Sequence, residues 1–524
     1  MVRKIPRMIA ALPVIWGMAI WSVEAPAQTA TPAVTPEAAS ALADALNAGL
    51  LRWFPTPHQN KGGVKWTGKV SATPVGDHYD VRLPSVAIVD SDNSKIQVGE
   101  IAMIVKPNAD QTFGVEITLP ASIQSVTSAG AKDAELSMGS QHFSGVWSPT
   151  LETFIKIDAA YSDLAVVPSK PNPSVKIGLL AVRADLAQSA PNRWSGPSSF
   201  TIGDLLVQDE KGVNVLKLGR MAIEAEANGV DLSRLAKISQ WAEDDAKAGD
   251  PTVFKQRMET VRGLFNGAAA KLRVNDLAVV NADEMKKAGA GKPSGDIGTF
   301  SLQQASFHVS LDGLEQGNSS FRLGFLQEGV KVDPLPGPPE FMPDKIEVDL
   351  AAVKLPNAKL WQALETVLTP TTKGVAPVPG ADPESIAMAS AMTGLSENAS
   401  EIRIEKLALS APAASASVTG SARFDAKAVM NAVATLDISL RGLDTAIRTL
   451  QPAPGAKPDE GAKGILTALA MIQGMGQMSK NAAGQEVRNY RIELSQIGQI
   501  TLNGVDMSSL IGGIGGGSPG PSGR

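Results

Sequence analysis

A short segment with a fixed pattern occurs three times in the first half of this chain. Each copy reads apolar, Gly, any residue, apolar, Ala, apolar, within residues 96–103, 176–182 and 217–223. An acidic turn at residues 90–93 or 209–212 precedes the first and third copies, after a β-rich run. Because Asp, Asn and Gly favour tight turns, the pattern predicts a recurring β-hairpin. The chain is therefore expected to build a repetitive β scaffold.

Apolar and polar residues alternate with a period of two along several other stretches. Residues 113–119, 321–325 and 346–350 are clear examples. Successive side chains of a strand point to opposite faces, so each strand has one dry and one wet face, which is typical of antiparallel sheets. Roughly sixteen to twenty strands fit this pattern. The sequence predicts an α+β fold, mostly antiparallel β, in which repetitive β-hairpins form long curved sheets with a few amphipathic helices.

Amphipathic helices are predicted between the strands. A helical hairpin is expected at 231–268, with helices at 231–248 and 252–268 and a break at Gly249–Pro251. Its apolar stripes, the candidate lid, are Leu232, Leu235, Ile238, Trp241, Phe254, Met258, Val261 and Phe265.

Further helices are predicted near 357–368, 382–395, 441–450 and 461–478. An alternating strand, an apolar corner and a short helix follow one another three times along the chain, around residues 231, 356 and 443. This recurrence indicates stacked or duplicated β-rich units.

The N-terminus predicts export. Three basic residues precede an apolar core at residues 8–21, and Ala25-Pro-Ala27 offers a cleavage site before Gln28, so residues 1–27 are expected to be a signal peptide. An uncleaved inner-membrane anchor is the alternative, although the apolar run is shorter than the roughly 20 residues that span a bilayer. The expected location is the periplasm of a bacterial envelope. The chain has no Cys, so a packed core must stabilise it without disulfides.

Linker-like segments divide the chain. Residues 28–59 are predicted to form a flexible arm and a short helix, and 60–285 a β-rich unit that contains the helical hairpin. The Gly/Lys-rich stretch at 286–295 is the strongest boundary signal. Residues 296–510 are predicted to be a second β-rich unit, and 511–524 a disordered tail.

Local motifs indicate neither catalysis nor metal binding. Residues 289–294 resemble part of a phosphate loop but lack its first Gly and its Ser or Thr after the Lys. Residues 90–93 resemble the start of a calcium loop, yet Lys95 and Ile101 stand where Gly and Glu are required, so a hairpin turn is expected. We predict no catalytic residue, no metal ligand and no cofactor. A hydrolase with a spatially assembled site stays open, because such sites leave no local pattern.

Charge and apolar surface suggest the class of partner. Removal of residues 1–27 takes away three positive charges and one negative, which moves the net charge from −5 to −7 and argues against nucleic acid. Long strands with one apolar face produce much apolar surface. If the sheet curves without closing, this surface forms a groove that can hold acyl chains. In the alternative interpretation, helices cover that surface as ordinary core.

The order of these parts resembles the AsmA-like superfamily of bacterial envelope proteins and the YdgA-like group. The similarity includes the N-terminal export segment, the degenerate hairpins, the apolar corner after an alternating strand, and a closing hairpin at 490–494 and 498–504 that ends in Leu-Asn-Gly. The resemblance implies a long curved sheet and a role in phospholipid movement or outer-membrane assembly. It supplies no catalytic residues.

Together, these observations predict a non-catalytic periplasmic protein that binds lipid or acts as a scaffold in envelope maintenance. The expected partners are phospholipid or acyl chains and other envelope proteins. Besides the hydrolase, the alternative is a protein-binding module that uses exposed sheet edges.

Overall fold

The computed structural model describes residues 32–53, 63–151, 153–169, 173–241, 251–280, 298–335, 339–368, 383–451, 460–481 and 484–507. The predicted signal peptide, the boundary segment 286–295, the phosphate-loop look-alike and the tail lie outside these residues. Of the described residues, 57% lie in strands and 20% in helices. The pairings within the described part are antiparallel. The predicted α+β, mostly antiparallel β fold is confirmed.

The helices of the described residues are α1 (Pro36–Trp53), α2 (Leu232–Gln240), α3 (Pro251–Arg262), α4 (Asn357–Leu368), α5 (Pro383–Glu397), α6 (Leu443–Leu450) and α7 (Glu460–Met475). The first strands are β1 (Gly63–Thr67), β2 (Ser71–Val75), β3 (His78–Val89), β4 (Lys95–Pro107), β5 (Phe113–Thr118), β6 (Ser122–Val126), β7 (Lys132–Ser137), β8 (Ser140–Ser148), β9 (Thr153–Pro168), β10 (Ser174–Asp185), β11 (Ala187–Ala190), β12 (Arg193–Gln208), β13 (Asn214–Val230) and β14 (Gly267–Val280).

The later strands are β15 (Thr299–Asp312), β16 (Asn318–Glu328), β17 (Lys331–Asp333), β18 (Lys345–Pro356), β19 (Glu401–Ser410), β20 (Ser415–Phe424), β21 (Ala432–Arg441), β22 (Gln477–Lys480), β23 (Glu486–Leu494), β24 (Ile500–Leu502) and β25 (Val505–Asp506). The chain divides into two units. Unit 1 comprises residues 1–233 and 271–301, and unit 2 comprises 234–270 and 302–524.

Unit 1 is a sheet wrapped against one helix. Strands β1 and β2 both pair with β3, which pairs with β4. From β4 to β9 the sheet continues along two parallel routes, β5 then β8 and β6 then β7. Strands β10, β12 and β13 follow β9 in that order. Helix α1 begins where Thr35 Oγ1 accepts a hydrogen bond from the Ala38 N–H, which is an N-cap. Its stripe of Ala39, Leu42, Leu46 and Leu50 packs in the apolar core of the sheet. Unit 1 therefore buries its apolar sheet face.

The strand facing predicted for residues 113–119 is confirmed in this core. Val115 and Leu119 are buried, and Phe113 and Ile117 pack against the same cluster. Glu116 and Thr118, by contrast, are exposed.

Both predicted acidic turns join hairpins. The turn at 90–93 connects β3 to β4, and the turn at 209–212 connects β12 to β13. The side chain of Asp92 accepts hydrogen bonds from the Ser94 N–H and hydroxyl, and Asp209 accepts from two backbone N–H groups. Carboxylates that accept backbone hydrogen bonds in this way stabilise a turn. The prediction that residues 90–93 form a hairpin turn is therefore confirmed.

In the second and third copies of the repeated segment, the glycine faces an aspartate with left-handed backbone in a neighbouring strand, whereas Gly99 of the first copy faces Pro120. A Cβ on Gly178 would lie 2.9 Å from the Asp204 Cβ, and one on Gly219 would lie 3.0 Å from the Asp276 Cβ. Asp204 and Asp276 have φ values of 50° and 53°. A side chain at either glycine would collide with this aspartate, which explains the Gly in these two copies. Gly99 has a φ of 90°, a backbone conformation that favours glycine by itself.

Unit 2 is a sheet with the strand order β15, β16, β18, β19, β20, β21, β23. Strands β22 and β24 pair with opposite ends of β23. The predicted succession of strand, corner and helix is present, since α2 follows β13, α4 follows β18 and α6 follows β21. A second helix follows each of these.

Candidate functional site

One face of the unit 2 sheet is apolar across all seven strands. The pairing register aligns one row in which every residue is apolar or aromatic: Phe307, Phe325, Val348, Leu407, Val418, Ile438 and Tyr490. The next row contains Val309, Leu323, Leu350, Ile404, Leu436 and Ile492. Two outer rows continue this face and include Ile402 and Leu409. We call these four rows the apolar face.

The apolar face is only partly covered. Phe307, Ile402, Leu407 and Leu409 are 40–48% exposed, whereas the unit 1 core residue Val105 is 0% exposed. Among the large apolar and aromatic residues of the four rows, only Tyr490 is buried in the described part of the chain. Neighbouring exposed apolar side chains of this kind often mark an interaction site.

The opposite face of the same strands is polar and carries ion pairs. Arg322 Nε donates to Asp349 Oδ1 at 2.8 Å, and Lys406 Nζ lies 2.8 Å from Glu347 Oε2. The hydrogen bond from Arg322 holds the pKa of Asp349 below its usual value, and the bond from Lys406 does the same for Glu347. The sheet therefore has one wet face and one dry face, as the alternation in the sequence predicts.

The helices of unit 2 lie near strand ends and keep apolar side chains exposed. Helix α4 packs against α5, and both touch β18, where α4 begins directly after the strand. Asn357 at the start of α4 is buried, and its amide donates to three carbonyls of the β15–β16 turn. Ile386 and Met388 of α5 and Met471 of α7 are 52%, 65% and 62% exposed. The described helices thus leave part of the apolar face exposed, chiefly on β15 and β19.

The predicted lid residues come together only in part. Leu232 and Met258 are buried, Ile238, Trp241, Phe254 and Phe265 are half-buried, and Leu235 and Val261 are exposed. The guanidinium of Arg257 lies 5.3 Å from the centre of the Trp241 ring, which links α3 to the residue after α2. Residues 242–250 lie outside the described part of the chain, and the lid role stays a prediction.

The second helix of this pair is shorter than predicted. It ends at Arg262 rather than at 268, so Phe265 lies in the loop before β14. Arg234 donates to the carbonyls of Glu259 and Thr260, and Gly263 leaves room for that guanidinium. Capping of its last turn by an arginine, with a glycine just beyond, ends the helix there. The helix expected at 461–478 likewise ends at Met475, and Met478 lies in β22.

Two concavities lie within single units. One of about 810 Å³ in unit 1 has a mixed lining, with polar side chains such as Lys65, Lys95 and Gln124 and apolar ones such as Val89 and Leu119. The other, of about 400 Å³ in unit 2, lies beside Arg234, the β15–β16 turn and the start of α4. In the described ranges, no group of three or more acidic or His side chains is placed to hold a metal. No helix in those ranges is long and apolar enough to cross a membrane.

Residues 213–507 match a family model described as an uncharacterized protein conserved in bacteria, DUF2125. The chain is a member of the DUF2125 family. The matched region of this DUF2125 protein begins at β13 and contains every strand of the apolar face, whereas β1–β12 precede it. No curated protein matches the chain. The resemblance to AsmA-like and YdgA-like proteins stays a prediction.

One residue of the apolar face is charged, in the outer row that also contains the polar Gln327. Arg488 precedes Tyr490 by two positions in β23 and pairs with Leu440 in the outer row that contains Leu409. Tyr490, Ile492 and Leu494 alternate along β23. If this alternation is extended towards the N-terminus, an apolar residue is expected at 488, so the arginine there could have been noticed from the sequence. Sequence reasoning missed this residue because it followed apolar positions only.

Proposed function

We propose that this DUF2125 protein is an exported, non-catalytic envelope protein that binds the acyl chains of lipids on the apolar face of unit 2. The observation that carries the proposal is the apolar face across seven paired strands, which is partly exposed and reaches 40–48% exposure on β15 and β19. The predicted signal peptide at 1–27 supports a periplasmic location, where phospholipid and acyl chains are available.

The dimensions suit an extended chain. Seven strands at a spacing of about 4.8 Å give a face roughly 29 Å wide. One leaflet of a bilayer is roughly 15 Å of hydrocarbon, so a single acyl chain fits across the face.

The energy of such a contact is moderate. Burial contributes about 0.8 kcal/mol for each methylene, and an open sheet covers about half of each one. A chain of about sixteen carbons would therefore gain at most on the order of 6 kcal/mol, a dissociation constant of tens of micromolar. That strength suits a carrier or conduit that releases its ligand.

The direct test is the lipid content of protein purified from its native host, extracted and identified by mass spectrometry. We expect co-purifying phospholipid or fatty acid. Intact mass of the same sample tests export, with a mature chain that begins at Gln28 as the expected result. A chain that retains Met1 and sediments with membranes would contradict the cleaved, periplasmic form.

Matched variants then locate the site. The double variant Ile402→Gln, Leu407→Gln makes the apolar face polar, and we expect it to lose most of the bound lipid. The control, Ser417→Gln with Thr419→Gln, places the same side chains on exposed positions of the opposite face. Equal lipid content in both double variants would overturn the assignment. Lipid-free wild-type protein that instead captures another envelope protein would favour the scaffold or sheet-edge alternative.

A further inference from the structure

Arg488 has an unusual setting within the apolar face. In the four rows of paired residues it is the charged member, and its neighbours across the sheet are Leu440 of β21 and Met478 of β22. Tyr490 lies two positions along the same strand and therefore on the same face. Tyr490 is buried beneath the end of α7, where its hydroxyl donates to the Ile472 carbonyl and Gly476 lies beside it. Met478 is 60% exposed and Arg488 half-buried, so Arg488 lies at the margin between this covered corner and solvent.

The positive charge of Arg488 is not neutralised by the described part of the chain. No hydrogen bond or ion pair joins its guanidinium to a described residue, whereas Arg491 on the polar face pairs with both Glu493 and Asp437. The charge lies near Tyr490, because it opposes the rise in the pKa of that phenol caused by burial. An arginine on an apolar surface without a partner is suited to an anion that arrives with an apolar ligand.

We propose that Arg488 anchors the anionic head group of the ligand, so that the protein selects acidic amphiphiles whose acyl chain lies on the apolar face. The inference rests on the proposed function and adds the ligand class. The charge complements a carboxylate or phosphate at the margin of the face, while the half-buried Ile438 and Val418 of the neighbouring strands continue as an apolar track. Neutral lipids with the same chain would bind without this contact.

The test compares two ligands with one chain. Oleate and oleyl alcohol, below their aggregation limits, compete with the neutral fluorescent probe N-phenyl-1-naphthylamine on the full-length mature protein. We expect Arg488→Gln to weaken oleate by about ten-fold or more, since a hydrogen bond to a charged group is lost, and to change oleyl alcohol less than two-fold. Arg488→Lys should restore part of the oleate affinity.

Controls separate the possible failures. Arg491→Gln removes a charge from the opposite face of the same strand and should leave both ligands unchanged. Unaltered oleate binding by Arg488→Gln would overturn the anchor and leave the proposed function standing. If the wild-type protein binds neither ligand, the proposed function fails and the anchor fails with it. Competition of inorganic phosphate with oleate at equal concentration would indicate a simple anion site and would also overturn the proposal.

Discussion

Unit 1 and unit 2 are built from the same kind of alternating strand, yet the apolar face is buried in unit 1 and partly exposed in unit 2. In unit 1, Val81, Ile101 and Val105 are at most 1% exposed, in the core that also contains the stripe of α1. In unit 2, residues at equivalent places in the pattern, such as Leu407 and Ile402, are more than 40% exposed. The difference teaches that alternation defines a dry face but does not decide whether a helix covers it.

The helices themselves account for part of this contrast. The four buried apolar residues of α1 recur every three or four positions, which makes one stripe along the whole helix. Helix α5 is rich in Ala and Met around its circumference, and Met388 and Ile386 point to solvent. A helix without a single stripe gains little by lying on a sheet, and α5 instead packs on α4 near the strand ends.

The largest expected effect comes from a buried charge in unit 1. Val105→Asp places a carboxylate with no partner in the core, and we expect a loss of more than about 4 kcal/mol, enough to unfold unit 1. Leu407→Asp should cost less than about 1 kcal/mol, because its site is already wet. Guanidinium unfolding followed by circular dichroism measures both. Comparable losses in the two variants would remove the distinction between the units.

A second prediction concerns the helix that covers the unit 1 face. Leu46→Ala should lower the free energy of unfolding by roughly 2–5 kcal/mol, because Leu46 is 2% exposed and a cavity would remain. Asp44→Ala, on the exposed side of α1, should stay within about 0.5 kcal/mol of wild type. A small effect of Leu46→Ala would mean that α1 is dispensable and that the two faces are alike.

A third prediction sharpens the account of the repeated segment. Gly178→Ala should destabilise unit 1 by about 1–3 kcal/mol, since the added Cβ would lie 2.9 Å from the Asp204 Cβ. Asp204→Gly removes that atom and suits the left-handed backbone. In the Asp204→Gly background the alanine should therefore cost less than about half as much. Additive losses in the double variant, measured by thermal unfolding, would show that the two positions do not interact.

The smallest expected effect concerns the polar face of unit 2. Arg322 lowers the pKa of Asp349, so this pair stabilises the folded state above the ordinary aspartate pKa of about 3.9 and loses that contribution as the pH falls through the folded value. Asp349→Asn should cost about 1 kcal/mol or less at pH 7 and close to nothing near pH 2. Unfolding experiments at both pH values measure this difference. A cost independent of pH would exclude the ion pair as its cause.

Much of the candidate site could be predicted from local pattern. The alternation of Phe321, Leu323 and Phe325, and of Ile346, Val348 and Leu350, predicts one apolar face for each strand. The register places both sets on the same face and pairs Leu323 with Leu350 and Phe325 with Val348. The three transitions from strand to helix also follow from the sequence. Helix ends were less predictable, because the end of α3 depends on Arg234, which lies far away in the sequence.

The sequence by itself determined the class of fold, the hairpins with acidic turns and the existence of dry faces, because these depend on neighbours a few positions apart. Only the tertiary structure decided that α1 covers the face of unit 1, that the face of unit 2 stays open, and that Arg488 shares a row with Leu440 and Met478. Coverage and register depend on contacts between residues distant along the chain. The two-residue alternation along a strand does not indicate which residues distant in the sequence will be in contact.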